Sequence, residues 1–130
     1  MFNILYKAEA YFRMGNIDEA EKHNEQGVQL AYKQQDDAQI FFSNLLRAKI
    51  AAARGQQKEA KIVLEQLLPE AVDNDEFTGL VYYELWKTCD DCSYAEKSLR
   101  IYKKIYTKIQ TFAIRDKVEE LEAALNSNSL

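Results

Sequence analysis

One spacing constrains this chain more than any other feature. Ala8, Gly15 and Ala20 recur as Ala48, Gly55 and Ala60, displaced by 40 residues with both internal intervals unchanged. The pattern has a physical reading. A small residue (Ala8, Ala48) lets two antiparallel helices cross closely. Seven residues on, Gly15 and Gly55 fall where a first helix ends, in the left-handed conformation that is cheap for glycine. Five residues later, Ala20 and Ala60 lie on the return helix opposite the first small residue. Each segment is therefore a helix–turn–helix hairpin, which cannot bury its apolar face alone and must stack on a neighbour.

A weaker third copy follows. Tyr83, Trp86, Asp90, Ala95 and Leu99 align with Ala8, Tyr11, Gly15, Ala20 and Asn24 at an offset of 75. Tyr83 replaces the small residue and Asp90 the glycine, so the crossing or the turn must differ locally. Leu121, Ala123 and Leu125 align with Leu46, Ala48 and Ile50 as a closing half-copy. The pattern predicts seven helices, at about 2–14, 17–33, 37–54, 57–68, 76–88, 93–109 and 112–125. Asp36-Asp37, Asp73-Asn74-Asp75 and Ser93 are expected to supply N-caps or acidic first turns. Pro69 is expected to end or kink the fourth helix, and the polar tail from Asn126 to fray.

Composition narrows the class. A single Pro and four Gly in 130 residues argue against a turn-rich sandwich or barrel. A net charge of −4 gives no overall pull toward nucleic acid or an anionic membrane. No apolar run approaches the roughly 20 residues that span a bilayer, and the N-terminus lacks the plan of a signal peptide. Two cysteines do not make a disulfide scaffold, so a reducing cytoplasm is the expected setting.

The order small–aromatic–Gly–small, seen as Ala8, Tyr11, Gly15 and Ala20, resembles the tetratricopeptide repeat. Ala51 departs from it where an aromatic is usual. The steps of 40 and then 35 residues are similar to the longer versions found in bacterial regulatory proteins. The resemblance implies an all-α fold, a right-handed superhelical stack of antiparallel hairpins. Repeats at about 1–35, 36–72 and 76–110 and a closing helix at 111–126 would then make one domain over residues 1–130.

The resemblance further implies a concave groove lined by the first helix of each repeat, which binds peptides. The matching positions are Phe2, Leu5, Glu9, Phe12 and Arg13, then Phe42, Leu45, Lys49, Ala52 and Ala53, then Phe77, Leu80, Glu84, Lys87 and Thr88. Lys117, Glu120 and Ala124 continue the set. For Leu5, Leu45 and Leu80 a core role weighs more than a groove role. The Lys/Asn/Arg clamp with which some members hold chaperone tails is missing: Leu5, Glu9, Leu46, Phe77 and Val81 stand at its positions.

Candidate chemistry is sparse. Cys89-Asp90-Asp91-Cys92 has Cys-X-X-Cys spacing, but it falls in a helix–helix turn. Its aspartates disfavour thiolates, and a structural zinc site needs four ligands. His23 reads as a solvated helix residue with no nucleophile near it. Lys97, Arg100, Lys103, Lys104 and Lys108, interleaved with Tyr102 and Tyr106, could meet an acidic partner or RNA. The plainer reading is an outer face whose reverse (Leu99, Ile101, Ile105, Ile109) is buried. Tyr82, Tyr83, Trp86, Tyr94 and Phe77 read first as core.

The expected function is a protein- or peptide-binding scaffold, not an enzyme, with no cofactor or metal, no nucleic acid and no membrane partner. The alternative is a regulatory or dimerisation module of a larger bacterial signalling protein, such as a cyclase, kinase or transcription regulator. The lack of a polar cap before Phe2 points to a piece of something longer, or to self-association through the first helix.

Overall fold

The computed structural model describes the backbone of residues 2–128 and the side chains of residues 4–127. Among the described residues it is all-α, with seven helices and no strand. They are α1 (Phe2–Arg13), α2 (Ile17–Lys33), α3 (Asp37–Ala53), α4 (Gln57–Ala71), α5 (Asp75–Cys89), α6 (Cys92–Tyr106) and α7 (Phe112–Asn128). The chain forms two compact units, Met1–Leu67 and Leu68–Leu130, with the division inside α4.

In the first unit α1 and α2 form an antiparallel hairpin, α3 packs on α2, and α3 also touches α1. Ala8 and Ala20 are fully buried at the hairpin's centre, with Leu46 and Ile50 of α3 beneath them and Tyr11, Phe12 and Ile17 around the edge. The approach is also close two turns further along α2. A Cβ on Gly27 would lie 2.5 Å from Leu5 Cδ2. Ala48 and Ala60 are buried as the repeat requires.

The turns follow from backbone bonding. Gly15 (φ 81°) and Gly55 (φ 79°) take the left-handed conformation. At each, one amide bonds three residues back and the next bonds five back: Gly15 to Phe12 with Asn16 to Tyr11, and Gly55 to Ala52 with Gln56 to Ala51. Gln35 (φ 55°) closes α2 in the same way, although it is not glycine. Asn16, Asp36 and Asn74 then cap the next helix, each side chain accepting an amide three residues on.

In the second unit α5 and α6 form the hairpin and α7 packs on α6. Its core joins Ala95, Tyr102, Ile105, Ile114 and Leu121, flanked by Tyr83, Trp86, Leu99, Ile101, Tyr106, Val118 and Leu125. The local difference expected of the third repeat is present in both crossing and turn. The close crossing falls at Gly79, one turn before Tyr83, where a Cβ would meet Ile101 and the Tyr102 ring at 3.2 Å. Asp90 (φ 52°) ends α5 with a single bond from its amide to the Trp86 carbonyl.

Several boundary expectations are corrected. α4 continues through Pro69 to Ala71. Pro69 sits in the last turn, where its missing N–H forfeits one bond, to the Glu65 carbonyl. The end of α4 is stitched instead by Thr78, whose hydroxyl donates to the carbonyl of the buried Ala71 at 2.6 Å. Ser93 does not cap α6. Asp91 does, its carboxylate accepting the Ser93 amide at 2.9 Å. Helix α6 ends at Tyr106, so Lys108 and the exposed Ile109 lie beyond it. Ala123 is exposed, so the closing half-copy does not reproduce the buried small residue at Ala48.

Candidate functional site

The first-helix positions of the first unit come together on α1 and α3. Glu9 lies 3.4 Å from Arg13 and 3.8 Å from Lys49. The Lys49 ammonium sits over the Phe12 ring, 6.0 Å from its centroid. An α1 aromatic, an α1 carboxylate and an α3 lysine thus form one surface cluster. Phe42 is 42% exposed on α3 and meets Phe41 edge-on at 5.4 Å. Leu45 is 5% exposed and belongs to the core. Leu5 faces Gly27 of α2, so it packs the hairpin. The side chain of Phe2 lies outside the described residues.

The second unit gathers a denser cluster from α5 and α7. Glu120 of α7 accepts a 2.7 Å hydrogen bond from the Tyr83 hydroxyl and pairs with Lys87 at 2.8 Å. Lys87 lies 4.9 Å from the centroid of the Trp86 ring and 5.5 Å from that of Tyr83. Lys117, one turn before Glu120, stands over the Tyr83 ring at 4.2 Å. The two rings meet edge-on at 5.7 Å. Burial pushes the Tyr83 hydroxyl well above its ordinary pKa, and the bond to Glu120 adds to that. For Glu120 burial works upward. Hydrogen bonds from Lys87 and Tyr83 and the charges of Lys87 and Lys117 outweigh it and hold the carboxyl below its usual value.

Lys87 and Glu84 were expected at such a face, and Glu120 and Lys117 continue the same register. Tyr83 and Trp86 were read as core, and the structure gives them a double role. Both flank the buried cluster yet remain half-exposed beneath lysine ammonium groups. The signal lay in the sequence as Tyr83, Trp86 and Lys87 within one turn of a helix. Phe77 and Leu80 are half-buried at the start of α5.

Other candidates are reassigned. His23 is not a freely solvated residue. It is half-buried, with Nδ1 2.9 Å from the Glu19 carbonyl and its ring 5.0 Å from Tyr11. The α6 stripe loses its aromatic interleaving, because Tyr102 is 2% exposed and core. Three of its cations are taken up locally: Lys103 by Glu122, Lys104 by Asp75, and Lys97 over the stacked rings of Tyr82 and Tyr94. Cys89 ends α5 and Cys92 begins α6, both as half-buried thiols. Among the described residues no group of three or more His, Cys, Asp or Glu is placed to hold a metal ion. None of the described helices is long and apolar enough to cross a membrane.

The chain matches no family model, no curated protein and no solved structure.

Proposed function

We propose that the chain is a protein- or peptide-binding scaffold of tetratricopeptide type, working through the faces of its first helices and not through catalysis. One observation carries this reading. In each unit, lysines at positions that the repeat assigns to the groove stand over half-buried aromatics: Lys49 over Phe12, Lys87 over Trp86 and Tyr83, and Lys117 over Tyr83. Ordinary core packing would hide such rings. Aromatic and cationic groups on fixed helices are the material of binding hot spots, because little side-chain entropy remains to be lost on association. On the second helix α6, Lys103 pairs with Glu122, Lys104 with Asp75, and Lys97 stands over Tyr82 and Tyr94. A reducing, cytoplasmic setting goes with the two thiols.

The test is affinity capture from the cells of origin with three immobilised chains: the native one, a Lys49→Glu/Lys87→Glu double variant, and an Arg100→Glu control on α6. A genuine groove partner stays with the native chain and the control, and weakens at least about tenfold on the double variant. Equal retention by all three would remove the first-helix faces from the binding reaction.

A further inference from the structure

The cluster on α5 and α7 already contains a ligand, the chain's own Glu120. We propose that Tyr83, Trp86, Lys87 and Lys117 form a receptor for an Asp or Glu side chain of a partner segment, and that Glu120 occupies this receptor in the unbound chain and yields it on binding. The proposal rests on the scaffold reading above and names the chemistry of its guest.

The receptor does not depend on Glu120 for its shape. The Tyr83 ring is held edge-on against Trp86, and both rings pack against the buried core of Ala95, Tyr102 and Leu121. Lys87 lies over Trp86 and Lys117 over Tyr83. The two rings, and with them the Tyr83 hydroxyl, therefore keep their places when the carboxylate leaves, and a guest meets a largely preorganised site. Glu120 can leave: its side chain is 38% exposed, and Lys87 beside it is 48% exposed. The exchange is one carboxylate for another, so the receptor's cations stay paired while Glu120 passes into solvent.

Two features select the guest. The site already holds a single carboxylate, between the Tyr83 hydroxyl and the Lys87 ammonium. The present occupant is a side-chain carboxylate carried on a helix, so the same approach suits one carried on a partner's segment. The Trp86 ring, beside Lys87, offers apolar surface to a residue next to that carboxylate.

Trp86 is the chain's one tryptophan, so its emission reports on this site alone. The probe is a short peptide, acetylated and amidated at its ends, with a Leu-Glu-Leu centre, against its Leu-Gln-Leu isostere. The Glu peptide is expected to change Trp86 emission saturably and to bind at least about tenfold more tightly than the Gln peptide. Glu120→Gln removes the charged competitor and should tighten the Glu peptide about fivefold, since apparent affinity scales with the open fraction of a site. Lys117→Met should weaken it. The proposal is overturned by an unsaturable response in both native chain and Glu120→Gln, by equal binding of the two peptides, or by tighter binding of the phosphoserine analogue. Tighter binding of a free C-terminal carboxylate would also overturn it. If a cellular partner is still lost on the Lys49→Glu/Lys87→Glu variant while Glu120→Gln changes nothing, the latch falls and the scaffold reading stands.

Discussion

The Tyr83 hydroxyl donates a 2.7 Å hydrogen bond to the Glu120 carboxylate, joining α5 to α7 across 37 residues of sequence. Tyr83→Phe deletes that donor and leaves the ring in place. It should lower stability by about 0.5–1.5 kcal/mol at neutral pH, read by urea denaturation. The Glu120 carboxyl, held down in part by this bond, should titrate at a higher pH in the variant, as followed by carboxyl NMR. The sign for stability follows. A depressed carboxyl contributes fully above its unfolded pKa and loses that contribution as pH falls through the folded value. The variant should therefore lose less stability than the native chain between neutral pH and the acid limb. An unmoved Glu120 titration would mean that the bond is not populated in solution.

Two buried serines should respond oppositely to loss of their hydroxyls. Ser98 Oγ donates to the Gly79 carbonyl at 3.0 Å inside the α5–α6 hairpin, so Ser98→Ala should cost about 1 kcal/mol. Ser43 Oγ is buried without a hydrogen-bond partner, and its backbone carbonyl, not its side chain, accepts from Asn24 at 2.9 Å. Ser43→Ala keeps that bond, removes an unsatisfied hydroxyl and favours the helix. It should be neutral or stabilising by up to about 1 kcal/mol. Melting curves for the two variants displaced in the same direction would contradict the assignment.

The left-handed turn residues give a second opposed pair. Gly15→Ala meets no atom within 4 Å, so its only penalty is the backbone at φ 81°. A loss of about 1 kcal/mol is expected. Gln35 already bears that penalty at φ 55°, so Gln35→Gly should gain up to about 1 kcal/mol. Chemical denaturation midpoints that move the other way would show that α2 does not end in this turn.

Gly79→Ala should be more damaging than Gly27→Ala. At Gly27 the nearest obstacle is the far end of the Leu5 side chain, which can turn aside, and the extra methyl favours helix α2. At Gly79 the new Cβ would lie 3.2–3.3 Å from two atoms of the Tyr102 ring, which is buried and cannot retreat. Gly79→Ala should cost about 1–3 kcal/mol. Equal Tm shifts for the two variants would place the tight crossing elsewhere.

These contrasts mark what could be read from residues alone. The small–Gly–small spacing at Ala8, Gly15 and Ala20 encodes a helix crossing and a left-handed turn directly, because both are local and both depend on missing side-chain atoms. Gln35 and Asp90 adopt the same backbone region without that signature, so their turns were less legible. Pro69 misled because a proline in the last turn of a helix forfeits a single bond. The first-helix register named Lys87 and Glu84 for the face and carried on to Lys117 and Glu120. It could not reveal that Tyr83 and Glu120 share a hydrogen bond, since that depends on how two helices separated by α6 meet. Lys103 and Lys104 showed the reverse: a basic stripe in sequence becomes a set of local pairs once Glu122 and Asp75 are brought beside it.

The turns at Gly15, Gln35 and Gly55 carry one more consequence. Each is closed by amide bonds reaching back no more than five residues, and those at Gly15 and Gln35 are each followed at once by a helix that packs on the one just finished. Little loop-closure entropy stands between the first turn of helix and a finished hairpin. The α1–α2 pair should therefore form quickly once α3 brings Leu46 and Ile50 beneath it, so that assembly of the first unit proceeds from neighbouring helices in chain order.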